Sequence, residues 1–76
     1  MTIIHDPAQA ALWFSQLTAS PAMTEGGVLH RSVSEIDSNF GREAFLEEMQ
    51  RRGFSVVENA GQVVIFCNRA PLRRLL

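Results

Sequence analysis

The chain has 76 residues, 46% of them hydrophobic, and a formal net charge of −1. That length holds one small core, and the apolar content takes the chain out of the disordered class. Cys67 is the single cysteine and His5 and His30 are the two histidines, so an intrachain disulfide and a four-cysteine zinc site are excluded and no metal-ligand spacing remains.

Residues 1–5 read as an extended lead. Asp6 is placed to cap a helix, with Pro7 at its first position and Gln9 at its third. The helix is expected over 7–19. Ala10, Trp13, Phe14 and Leu17 recur on one face of a 3.6-residue period, with Leu12 on the flank. Ser20-Pro21 is a stop signal, because the residue before a proline leaves the α region. Residues 21–27 read as a loop containing Gly26-Gly27. This pair lacks the Lys-Ser or Lys-Thr and the preceding strand of a phosphate loop. Val28-Leu29-His30-Arg31 follows as either a small strand or one helical turn, with Val28 and Leu29 expected in the core.

Ser32 and Glu35 form a capping box for a short helix over 33–38, with Ile36 pointing inward. A longer helix follows over 42–52, capped by Ser38 or Asn39, with Glu43 near its positive end. Phe45, Leu46 and Met49 are expected on its inner face, and Ala44 is small enough for close approach. Arg51 and Arg52 suit its negative end, and Gly53 sits where helices commonly stop. The β-branched and aromatic runs at 54–57 and 63–67 then read as a hairpin spanning 54–67, with a turn of three to five residues within 58–62. Phe54 and Val56 share one face with Val63, Ile65 and Cys67 on the partner strand. Val57, Val64 and Phe66 make the opposite face apolar too, so the hairpin is covered twice or one face is an interface. In the 68–76 tail, Pro71 ends the strand. Leu72, Leu75 and Leu76 are expected to pack on the domain or on a partner.

The expected architecture is therefore α+β, a small single domain with three helices and a C-terminal β-hairpin. From Ser32 to Cys67 this order resembles the winged helix-turn-helix family. By that resemblance the helix over 33–38 corresponds to the second helix, residues 39–52 to the turn and recognition helix, and 54–67 to the wing. Val28-Leu29 would supply the short strand that pairs with a wing. The resemblance implies a regulatory domain that binds duplex DNA through its recognition helix.

The residues redirect that expectation. Glu43, Glu47, Glu48 and Gln50 face outward on the 42–52 helix, and carboxylates are repelled between phosphate rails. The basic residues lie elsewhere. Residues 1–50 carry seven acids against two arginines, whereas 51–76 carry five arginines against Glu58 alone. Arg42, Arg51, Arg52, Arg69, Arg73 and Arg74 are thus the candidate phosphate contacts. The alternative is a protein-interaction module, a homodimer, adaptor or inhibitor, using Val57, Val64, Phe66, Leu72, Leu75 and Leu76. No histidine stands at a spacing that would activate Thr2, Ser32 or Ser34, so no enzyme and no cofactor is expected. No apolar run nears the roughly 20 residues of a membrane span. The first helix lacks the lysines or arginines of an interfacial helix. The start of the chain has no signal-peptide pattern, which with an unpaired cysteine predicts a cytoplasmic protein.

Overall fold

In the computed structural model, which describes residues 6–76, Asp6 opens the first helix by accepting a hydrogen bond from the Ala8 N–H at 3.0 Å. The expected lead over 1–5 lies outside the described residues. Helix α1 spans Pro7–Thr18, one residue shorter than its expected end. Its apolar stripe buries Leu17 and lays Trp13 and Phe14 against the core.

The segment after α1 departs from the expected loop. Pro21–Glu25 forms a short helix, α2, which buries Met23. Pro21 stops α1 and starts α2, since a proline at the first helical position removes an N–H that would be unbonded anyway. Ser20 marks the joint, its hydroxyl donating to the Leu17 carbonyl at 2.7 Å. Strand β1, Val28–Ser32, comes next. Leu29 is buried, but Val28 points to the other side of the sheet and is exposed. Alternation along a strand allows only one of the two neighbours into the core.

Helix α3 is Val33–Asn39. Half of the capping box forms: the Glu35 N–H donates to the Ser32 hydroxyl at 3.0 Å. The Glu35 carboxylate is used elsewhere, accepting from Trp13 Nε1 at 3.0 Å and meeting Arg31 at 3.4 Å. Helix α4 is Arg42–Arg52, and its cap is Gly41 (φ 97°, ψ 132°), not Ser38 or Asn39. Asn39 remains inside α3 and donates to the Glu35 carbonyl at 2.8 Å. Phe45 and Met49 are fully buried, whereas Leu46 is 43% exposed and Ala44 faces solvent. Leu46 lies about 100° round the helix from Phe45, at the margin of the buried stripe. Gly53 and Phe54 close α4 with N–H bonds to the Gln50 and Met49 carbonyls, the reciprocal pattern of a Schellman ending.

Strands β2, Ser55–Asn59, and β3, Gln62–Phe66, form the hairpin. Its turn is tighter than expected. Asn59 pairs with Gln62, leaving only Ala60 and Gly61, both with positive φ (52° and 78°), as in a type I′ turn. A side chain in the left-handed region costs about 1–2 kcal/mol, and Asn tolerates it best. Ala60→Asn is therefore expected to raise the thermal midpoint by about 4 °C, measured by circular dichroism.

The sheet order is β1-β3-β2, antiparallel throughout. Leu29, Ile65 and Val56 form one inward row across the three strands. With Ile36, Phe45, Met49, Val63, Cys67, Leu17 and Met23 they make the interior, which Trp13, Phe14, Phe40 and Phe54 flank. Phe14 stacks on Phe40 at 4.7 Å, and Trp13 lies 6.2 Å from Phe45. This aromatic group ties α1 to the α3–α4 pair. Among the described residues the architecture is α+β with four helices, one more than expected, and a three-stranded sheet.

Candidate interaction surfaces

Among the described residues the helices pack on one face of the sheet, and the other face carries an open apolar group. Its rows are Val28–Phe66–Ser55, His30–Val64–Val57 and the polar Ser32–Gln62–Asn59. Val57 is 42% exposed, Val28 is exposed, and Val64 and Phe66 are half-buried. Three of the sequence-predicted interface residues, Val57, Val64 and Phe66, therefore come together. Leu72, Leu75 and Leu76 do not join them. All three are exposed, at 48%, 81% and 106%, so of the two expected places, the domain or a partner, they do not occupy the domain.

A second apolar surface adjoins the first. Between α4 and β2 runs a groove. One part, of about 400 Å³, is lined by Leu46, Met49, Phe54 and Val56. The other, about 200 Å³, shares Leu46 and Val56 and adds Val57, with Arg42 and Glu58 in its lining. Leu46, Phe54 and Val56 were not among the expected interface residues. No sequence signal marked Leu46: Phe45, Leu46 and Met49 span about 100°, an ordinary width for a buried stripe.

The candidate phosphate contacts divide into three groups. Arg42 sits at the start of α4, bonded twice to Asp37 (3.3 and 2.9 Å), which holds its guanidinium even more firmly in the charged form. Arg51 and Arg52 sit roughly 15 Å away at the other end of the helix. Both pair with Glu48, Arg52 at 2.7 Å. The hydrogen bonds from Arg52 and then Arg51 hold the Glu48 carboxyl below its usual range, so it stays ionised at neutral pH and offsets one of the two guanidinium charges. Arg52 also lies over the Phe14 ring at 5.1 Å, a contact that fixes the guanidinium against the domain. Arg69 joins this end, its Nε donating to the Arg52 carbonyl at 3.4 Å. Arg73 and Arg74 lie on the exposed 71–76 stretch and make no ion pair among the described residues. The outward side of α4 carries Glu43, Glu47 and Gln50, all exposed.

The groups that could do chemistry are dispersed. His30 is exposed on the outer sheet face. His5 lies outside the described residues. Cys67 is buried, its thiol near the Ile65 carbonyl at 3.7 Å, and burial pushes its pKa up, away from the thiolate that would act as a nucleophile. Among the described residues no group of three or more His, Cys, Asp or Glu could hold a metal ion. Among the same residues no helix is long and apolar enough to cross a membrane. Comparison with protein-family models, curated proteins and solved structures finds no match.

Proposed function

We propose that this is a non-enzymatic accessory or regulatory domain that works by binding protein. The observation that carries this reading is the pair of adjoining apolar surfaces, the open sheet face and the α4–β2 groove, with Leu46 and Val57 each more than 40% exposed. An 8.5 kDa chain gains most by covering such surface with a partner. The acidic outward side of α4 and the pairing of Arg31 and Arg42 with their own carboxylates, and of Arg51 and Arg52 with Glu48, keep α4 itself from presenting a basic face to a phosphate backbone. A lone buried thiol suits a cytoplasmic setting.

A photoreactive residue placed at position 57 in cells tests the reading. Adducts to protein are expected. Adducts that are mainly nucleic acid would overturn it.

Duplex DNA is the second reading, supported by one observation. The α3–α4 pair, the hairpin that follows and the central position of β3 agree with the winged-helix arrangement that the chain resembles. Arg69, Arg73 and Arg74 would then meet phosphates. Fluorescence anisotropy with duplex DNA at low salt separates the two. Saturable binding at micromolar protein, weakened on every sequence by Arg73→Glu with Arg74→Glu, would favour DNA.

A further inference from the structure

We infer that the 71–76 arm of one molecule docks in the α4–β2 groove of a second copy, which returns its own arm in exchange. This deepens the protein-binding reading above and rests on it.

The arm and the groove have matching chemistry. The arm carries Leu72, Leu75 and Leu76 around Arg73 and Arg74, with every residue from 71 to 76 exposed. The groove floor is Leu46, Met49, Phe54 and Val56. Charges stand at its border. Glu58 and Arg42 lie in the lining of one end, and Arg42 is already bonded twice to Asp37. Glu43 stands three residues before Leu46 on α4 and is exposed. Glu43 and Glu58 make no ion pair among the described residues, and neither does Arg73, whereas Arg74 donates to the Leu76 oxygen at 2.7 Å. In the three-residue period of a polyproline II segment Leu72 and Leu75 share one face toward the floor, which leaves Arg73 to reach Glu43 or Glu58 at the border.

Length agrees. Six residues in polyproline II reach about 19 Å, and the eleven residues of α4 span about 16 Å.

The base of the arm directs it outward and so toward a second copy. Asn68 donates to the Gly26 carbonyl at 3.2 Å and accepts from the Ala70 N–H at 3.0 Å. Arg69 is held on the Arg52 carbonyl, its side chain passing over Gly53. These contacts fix where the chain leaves the domain, Pro71 stiffens the next step, and the residues beyond it project into solvent.

Two full-length variants test the exchange: an arm variant, Leu72→Asp with Leu75→Asp, and a groove variant, Leu46→Glu. All three sites are exposed, so each variant should keep the parent circular-dichroism spectrum. Light scattering should show the parent passing from monomer to dimer between micromolar and millimolar concentration. Each variant alone should associate roughly tenfold or more weakly. Mixed, the two should form a heterodimer, because one intact arm then meets one intact groove. Arg73→Glu with Arg74→Glu should weaken association and remove its salt dependence. A parent that stays monomeric at millimolar concentration overturns the exchange, yet leaves the protein-binding reading to the cross-linking result at position 57. Variants that dimerise as well as the parent also overturn it, and they would locate self-association on the open sheet face.

Discussion

Replacing Phe45 with alanine is expected to cost about 3–5 kcal/mol. A chain of this size has in total about 4–11 kcal/mol of stability, so the variant should be partly unfolded at physiological temperature. The side chain is 1% exposed and stands where α1, α4 and the sheet meet. Its ring is 6.2 Å from that of Trp13, and it lines the 200 Å³ end of the α4–β2 groove. Truncation would therefore do more than leave a void. It would join that void to a depression already open to water, exposing Ile36, Val56 and Val63. Urea unfolding followed by fluorescence of Trp13, the single tryptophan, measures the loss. A drop below 1 kcal/mol would mean that the interior is not centred on α4 and the sheet, and the description of the groove would fall with it.

The second large effect is a backbone one. Gly41→Ala is expected to destabilise the chain by about 1–3 kcal/mol, although no side chain is lost. Gly41 has φ 97° and ψ 132°, a conformation that an L side chain rarely adopts. Its N–H donates to the Ile36 carbonyl at 2.8 Å and its carbonyl accepts from Phe45 at 3.0 Å. The residue thus ends α3 and begins α4 at once. Relaxing its dihedral would swing α4 away from the sheet and pull Phe45 out of place. A chain of this length is accessible to chemical synthesis, so D-alanine at position 41 is the control. It favours positive φ and should restore at least the parent midpoint. If L- and D-alanine unfold alike, the conformation of Gly41 carries no strain.

Some of this architecture was legible in the residues, and the failures have physical causes. The Asp6-Pro7 start of α1, the Ser32 cap and the Gly53 stop are local signals, and each forms as chemistry at that point requires. The core face of α4 was visible in Phe45 and Met49. Pro21 was misread because one residue both ends a helix and starts one, and only packing of Met23 shows that a new helix follows. Leu46 was misread because periodicity locates a stripe but not its width, which depends on what covers it. Val28 failed for a related reason, since a strand's facing depends on register with a distant partner. The apolar character of Val57, Val64 and Phe66 was plain in the sequence. That they share a face with Val28 required the pairing of β1 to β3. The arginines were read as one basic group because proximity in sequence says nothing about Glu48 and Asp37, which engage Arg51, Arg52 and Arg42.

The strand order carries one more implication. Among the described residues β1 and β2 are not paired with each other; each is bonded to β3 between them. Neither gains a hydrogen bond from these strands until residues 62–66 are in place, and the Gly61 carbonyl beside them accepts from the Val33 N–H at 2.9 Å to tether α3 as well. β2 reaches β3 across a two-residue turn, whereas β1 returns to it across all of α3, α4 and β2, so the β1 edge carries the larger loop-closure cost of the sheet.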